Sequence, residues 1–303
     1  MGPAHPRSAW AEQRPEPLSA PPRDCGTRAQ RVLARENGLP IVFLLPGSVG
    51  YGRSLAGLAA AMAGAARIVP IRYPDLRTML AGRGSLAAMA DDAMEQIRGE
   101  QPSGPVRLLG HSLGGAVAFE VAGRLLASGR SVRFLGILDT SILAERSEYR
   151  ETVLRTLQRI RASQVSAARM ACRALAKIAT ALGCEALLAR IVDRRGVSQF
   201  NATRFRITLE LQEVLRARAF FRWLDQPKAS LPLAATLFRC ARKDMPQHLG
   251  WEGLFARLEV TAIDGGHIDL IMEPHLTRNH PLIEAAIVGS YAPAEIAPRG
   301  AAS

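Results

Sequence analysis

Cysteine, aromatic residues and acidic charge are all scarce in this 303-residue chain. Its four cysteines, Cys25, Cys172, Cys184 and Cys240, lie far apart, with no CxxC pair and no histidine at zinc-finger spacing. That pattern excludes a disulfide framework and a structural metal, and it suits reduced thiols in a cytosolic protein. Aromatics make up 5% of the residues, and no helix-turn-helix or zinc motif is present, so a nucleic-acid partner is not expected. No uncharged apolar run approaches the roughly 18 to 20 residues that a membrane-crossing helix needs. The N-terminus carries Pro3, Pro6, Pro15 and Pro17 and no apolar stretch of the kind a secretory signal requires. Acidic residues number 27 against 39 Lys and Arg, a formal charge of +12, which raises the question of an acidic partner.

What is present is an apolar fraction of 48%, enough for a packed core. Residues 1–38 are rich in Pro, Arg, Ala and Glu without apolar period and read as a disordered leader. From Leu39 the texture changes. Ile41–Leu45 is an apolar run stopped by Pro46-Gly47, a buried strand ending in a tight loop. Strands are then expected at Arg67–Ile71, Val106–Leu109, Val132–Leu138, Leu233–Phe238 and Leu258–Ile263. Helices are expected at Ser54–Ala66, Leu86–Ile97, Ala116–Leu126 and Pro281–Gly289. Short apolar strands alternating with helices predict an α/β fold, a mostly parallel sheet with helices on both faces. The alternation stops at Asp139, and residues 141–230 read as an Arg-rich helical insertion far longer than an ordinary loop, of the kind that forms a lid. The tail, 291–303, is again rich in Pro and Ala and reads as flexible.

The strongest chemical signal is Gly110-His111-Ser112-Leu113-Gly114-Gly115, set between the strand ending at Leu109 and the helix starting near Gly115. A GxSxG turn in that context is a nucleophile elbow. A sharp strand-to-helix reversal strains the backbone at Ser112, and Gly110 and Gly114 remove side chains that would collide there. The turn lifts the Ser112 hydroxyl above the sheet and sets the Leu113 N–H beside it. Serine is a weak nucleophile near neutral pH and needs a base oriented by a carboxylate. The base is expected after the last strand, where Gly265-Gly266-His267 follows Ile263, so His267 is the candidate. His5, His111, His248, His275 and His280 fit worse by position. Three residues compete for the acid. Asp139 closes the Val132–Leu138 strand, where an unpaired buried carboxylate would be costly. Asp244 lies a few residues past the Leu233–Phe238 strand, where many α/β-hydrolases keep theirs. Asp264 is so near His267 in sequence that it more naturally shapes the turn. Of the three, Asp139 is favoured. The loop Pro46–Gly52 follows the first strand, and its glycines let a backbone N–H approach a ligand, so the Ser48 amide joins that of Leu113 as an oxyanion donor. The loop carries neither GxGxxG nor a P-loop GK[ST], so a phosphate cradle is not expected.

These residues bring a resemblance into view. Phe43-Leu44-Leu45-Pro46-Gly47 with Tyr51-Gly52, the run Gly104–Gly115, Ala118–Ala122, Leu138-Asp139, Gly250-Trp251 and Gly266–Leu270 together make the chain similar, over roughly residues 39–290, to the thioesterase domains that end nonribosomal peptide and polyketide synthases and to their free-standing relatives. The resemblance implies an α/β-hydrolase with a helical lid at about 141–230, which takes an acyl chain from a carrier protein's phosphopantetheine thioester onto its serine. It then releases the chain to water or to an internal nucleophile. In that family the acid commonly closes the strand after the elbow helix, as Leu138-Asp139 does. No cofactor or metal of the enzyme's own is implied, since the phosphopantetheine belongs to the substrate carrier. No carrier domain precedes residue 39, which fits a free-standing enzyme or a detached terminal domain.

The charge then acquires a place. Residues 141–230 hold 17 Arg and Lys, two of them Lys, against 8 Asp and Glu, so +9 of the +12 lies in the expected lid. Acyl carrier proteins are generally acidic, and a basic lid could steer their docking; arginines on solvated helix faces would give the same count without any partner. Two other readings stay open at this level. A carboxylesterase or lipase would use the same Ser112, His267 and Asp139 on oxygen esters, and a non-catalytic carrier-binding relative would keep the fold alone.

Overall fold

A computed structural model describes residues 38–143, 167–193, 202–242 and 245–291. Its centre is a six-stranded sheet formed by β1 (Ile41–Leu45), β2 (Arg67–Pro70), β3 (Val106–His111), β4 (Val132–Leu138), β5 (Leu231–Cys240) and β6 (Phe255–Ile263). The spatial order is β2-β1-β3-β4-β5-β6, and every neighbouring pair is parallel. Between the strands run α1 (Arg53–Ala61), α2 (Leu86–Glu100) and α3 (Leu113–Ala127), and α7 (His275–Gly289) follows β6.

The period of two along each strand sorts the core into two layers. Val42, Leu44, Leu109, Leu138 and Phe238 face Leu55 and Leu58 of α1 and Ile283 and Ile287 of α7. Phe43, Leu45, Leu108, Leu135 and Ile137 face Met89 of α2 and Val117 and Val121 of α3. Both faces are therefore covered, which is why these strands read as continuous apolar runs rather than alternating ones. From β1 the chain steps outward to β2 and then crosses back to β3, so the direction of winding reverses between β1 and β3. At such a switch point the loops leaving the two carboxyl ends part and open a crevice. The loop after β1 carries Ser48, and the turn after β3 carries Ser112.

The strands lie where the sequence reading put them; β2 stops one residue earlier, β3 runs two residues further, β5 is longer at both ends and β6 at its start, and β5 and β6 pair from Leu231↔Phe255 to Cys240↔Ile263. Four helix ends differ by three residues or more, and of these α2 runs on past Ile97 to Glu100. α3 begins at Leu113, directly after Ser112, rather than at Ala116. α1 stops at Ala61 instead of Ala66, where the chain turns through Gly64. The last helix starts at His275, six residues before Pro281, which sits inside it. Leu276 and Asn279 are buried there, so tertiary burial outweighs the preference of proline for a first turn. Between β4 and β5 the described residues form α4 (Ala167–Ala181), α5 (Glu185–Asp193) and α6 (Ala202–Leu224). α6 anchors this insertion: Trp223 meets Phe119 edge to face and lies tilted against Trp251, and its indole N–H donates to Glu120 at 2.8 Å. Most of the sequence-predicted leader, the tail after Tyr291 and the candidate acid Asp244 lie outside the described residues.

Candidate active site

Ser112 sits at φ 56° and ψ −127°, a left-handed conformation rare for any residue but glycine. Its neighbours show why the turn is built from glycines. A Cβ on Gly110 would strike the Gly114 carbonyl, and one on Gly114 would strike the Leu45 carbonyl of β1. The strained residue is held from several sides. Its N–H donates to Leu138 O at 3.2 Å, and its carbonyl accepts from Gly115 N–H at 2.9 Å and from the Thr140 hydroxyl at 2.6 Å. Trp251, fully buried, donates in turn to Thr140 O at 2.7 Å.

His267 arrives from the loop after β6. Its Nε2 lies 2.9 Å from Ser112 Oγ, and its Nδ1 lies 3.0 Å from Asp139 Oδ2. Nδ1 meets two acceptors, Asp139 Oδ2 and Asp139 O, each at 3.0 Å, and one donor, Arg242 Nη2, also at 3.0 Å; with Nδ1–H donating to the carboxylate, Nε2 presents a lone pair to the serine hydroxyl. The loop itself is pinned. Asp269 Oδ1 accepts from Gly266 N–H at 2.6 Å, and buried Asn279 on α7 receives Asp264 N–H while donating to the carbonyls of Asp264 and Leu270. His111 stacks on His267 with ring centroids 5.6 Å apart, and its Nε2–H donates to His267 O at 3.3 Å. Burial, and then the neighbouring His267, push the His111 imidazole down to about 4, so it stays neutral near pH 7.

Asp139 is fully buried at the end of β4, itself at φ 49°. Cys240 N–H donates to Oδ1 at 3.0 Å. Arg242 donates to Oδ2 through Nη2 at 2.5 Å and Nε at 3.2 Å, and Nη2 also reaches Asp139 O at 3.2 Å. Burial alone would raise this carboxyl, but the hydrogen bonds from His267 and Arg242 outweigh it and hold it below the usual carboxylate range. The same burial and the nearby carboxylate push the Cys240 thiol up to about 12.

The loop after β1 lies against the elbow. A Cβ on Gly47 would lie 3.2 Å from Ser112 Cβ, which brings this backbone beside the serine. The Gly47 carbonyl is turned back to accept Gly50 N–H at 3.0 Å. In a trans peptide the following N–H, that of Ser48, points to the opposite side.

Of the sequence candidates, the structure brings Ser112, His267 and Asp139 into one hydrogen-bonded chain. Asp264 instead pairs with His275 at 3.0 Å and with Arg278, which hold its carboxyl down to about 2. His248 faces Glu252 at 3.1 Å, and His280 bonds the carbonyl of Leu276. Among the described residues no cluster of His, Cys, Asp and Glu could hold a metal, and no helix is long and apolar enough to cross a membrane. Thr140, Arg242, Arg216, Tyr73 and Asn279 went unread in the sequence. Their partners lie up to 168 residues away, and no local pattern announces them.

A family model described as Thioesterase domain matches residues 40–282. Among curated proteins, vanchrobactin synthetase VabF of Vibrio anguillarum is 33% identical over 101 residues, which is 33% of this chain and 4% of that protein. Enterobactin synthase component F of Escherichia coli K12 is 32% identical over 106 residues, 35% of this chain and 8% of that protein. The matched stretches are thus a small fraction of these relatives' length. The solved NocB thioesterase domain from the nocardicin cluster superposes with a TM-score of 0.57 at 21% identity, covering 82% of this chain and 94% of that one. RedJ, a thioesterase from the prodiginine pathway of Streptomyces coelicolor, does so at 0.54 and 18%, covering 82% and 90%. At such identities the structures speak for the fold, an α/β-hydrolase with its parallel sheet. The family match runs from the first strand through the Ser112 elbow and the His267 loop into the last helix, and the chain belongs to the thioesterase domain family.

Proposed function

We propose that the protein is a serine thioesterase that releases an acyl, peptidyl or polyketide chain from the phosphopantetheine of an acyl or peptidyl carrier protein. The observation that carries this reading is the unbroken chain Ser112 Oγ–His267–Asp139 at the carboxyl edge of the sheet, at 2.9 and 3.0 Å, in a member of the thioesterase family. His267 Nε2 takes the Ser112 hydroxyl proton as Oγ attacks the thioester carbon, and Asp139 stabilises the imidazolium so formed. The N–H groups of Leu113 and Ser48 receive the tetrahedral oxyanion. As the carbon–sulfur bond breaks, His267 returns the proton to the leaving thiolate, and an acyl-Ser112 ester remains. Water, or a nucleophile within the chain itself, then gives its proton to His267 and attacks the ester. Hydrolysis or cyclisation follows, and Ser112 leaves with its proton.

The insertion between β4 and β5 serves as the lid in this reading, and its positive charge favours docking of an acidic carrier. No cofactor of the enzyme's own takes part. The free thiols of Cys172, Cys184 and Cys240 suit a reducing compartment, which we take to be the cytoplasm. Mixing the protein with acyl-loaded carrier and reading intact mass should show one acyl group on wild type and none on Ser112→Ala. An adduct on the Ala variant would refute the assignment of Ser112. Faster turnover of oxygen esters than thioesters would make the enzyme an esterase, and no reaction with a fluorophosphonate would make it a non-catalytic relative.

A further inference from the structure

α6 of the insertion sends a side chain under the oxyanion loop. Arg216 is 6% exposed, and the described hydrogen bonds of its guanidinium end on backbone carbonyls: Nη1 donates to Ser48 O at 3.1 Å and Nη2 to Pro74 O at 3.3 Å. Its Cζ lies 5.6 Å from the Tyr73 ring centroid, and the Tyr73 hydroxyl donates to Pro46 O at 2.8 Å. The Gly50 backbone comes so close that a Cβ there would sit 3.3 Å from Nη1. The three consecutive carbonyls of residues 46, 47 and 48 are therefore all tied back, by Tyr73, Gly50 and Arg216 respectively.

Burying a guanidinium on neutral carbonyls is expensive. Burial lowers the proton affinity of Arg216, with Tyr73 and Glu213 acting in the opposite sense. A structural tether for α6 already exists in the apolar contacts of Leu211, Ala219 and Trp223, which are buried without any such cost. What Arg216 adds is a fixed orientation of the backbone at Ser48. The peptide that carries the Ser48 N–H is set on one side by the Gly47 turn and on the other by the Ser48 carbonyl, which Arg216 holds.

We propose that Arg216 is a positioning residue: from the insertion helix it holds the Ser48 amide in oxyanion-binding orientation, so that acylation of Ser112 depends on α6 being seated. This rests on the reading of Ser112 and Ser48 above. It also makes the insertion a participant in the chemical step rather than a cover over the substrate, because any movement of α6 is transmitted to the loop through one side chain.

The rate at which a small fluorophosphonate labels Ser112 reports the site without carrier docking, since its P=O oxygen occupies the oxyanion position. Arg216→Met should slow labelling about 10²-fold, the order lost with one oxyanion donor. Arg216→Lys, which reaches one carbonyl instead of two, should slow it about tenfold, and Tyr73→Phe by a smaller factor. In thioester turnover the loss should appear in kcat, with KM changed less than about threefold, and loosening α6 by Leu211→Ala should slow labelling as well, because Arg216 moves with the helix that carries both residues. Far-UV circular dichroism and thermal melting report the fold of each variant. If Arg216→Met does not fold, Arg216→Lys and Tyr73→Phe decide the matter. Folded variants that label at the wild-type rate overturn the role of Arg216. A wild type that does not label at all overturns the reading of Ser112 instead.

Discussion

Replacing Asp139 by Asn tests the proposed acid most sharply, because both carboxylate oxygens are already occupied by donors. Oδ1 accepts Cys240 N–H at 3.0 Å; Oδ2 accepts two N–H groups of Arg242 and faces His267 Nδ1 at 3.0 Å. An amide has one oxygen. If it stays on the Arg242 side, the NH2 group confronts Cys240 N–H in a fully buried place, at a cost of about 1–3 kcal/mol. If it turns the other way, NH2 meets both the guanidinium and His267, and the imidazole must flip to the tautomer whose Nε2–H points at Ser112. Either way the imidazolium loses its counter-charge, worth about 4 kcal/mol for unit charges some 4 Å apart at an effective dielectric of 20. Arg242 already neutralises part of that carboxylate. The expected loss in the acylation rate is therefore roughly 10³–10⁴-fold, at or below what this change costs in other serine triads.

Stability should fall as well. Breaking a buried ion pair by removing one partner costs about 3–5 kcal/mol. The Arg242 side chain is 16% exposed, so the lower end is expected, a drop in Tm of roughly 6–12 °C for a domain of this size. The pH dependence has a definite sign. The Asp139 carboxyl is held below its unfolded value, so its contribution is fully present above about pH 4 and is lost as pH falls through the lower folded value. The Asn variant should lack that part of the acid destabilisation. Stopped-flow acylation by a thioester and thermal melts from pH 3 to 7 measure both. Acylation within tenfold of wild type in Asp139→Asn, with loss in Asp244→Asn, would transfer the acid role to the second residue.

Gly114→Ala would ordinarily stabilise a helix, yet here the new Cβ strikes the Leu45 carbonyl, and a loss of about 3 kcal/mol or failure to accumulate as soluble protein is expected; a urea midpoint at or above that of wild type would contradict the elbow packing. Asn279→Ala leaves Asp264 N–H and the carbonyls of Asp264 and Leu270 without their partner, so a loss of about 3 kcal/mol should accompany a lower kcat as the His267 loop loosens. Reversing the exposed Arg190 and Arg222 to Glu should raise KM for carrier-borne substrate several-fold and spare small soluble thioesters; equal effects on both would remove the insertion's charge from the docking account.

Where the physical cause of an element is local, the sequence carried it. The Ile41–Leu45 run, stopped by Pro46-Gly47, is β1 to the residue. The GxSxG turn announced the positive φ at Ser112, because only glycine on both sides clears the Gly114 and Leu45 carbonyls. The last helix was legible only in part: a proline inside it marked a boundary by local preference, and burial of Leu276 and Asn279 moved that boundary six residues.

What the sequence alone determined, then, is the alternation that makes a parallel sheet, the elbow, and the position of a histidine after the last strand. Those follow from chain stiffness, side-chain period and steric exclusion between near neighbours, all readable within a dozen residues. The tertiary structure decided which carboxylate meets His267, 128 residues away, and that Arg242 shares it across 103 residues. It also decided that Arg216 reaches back 168 residues to the loop after β1. A hydrogen bond between distant segments depends on where the whole sheet sets its strand ends, and no short stretch of chain holds that information.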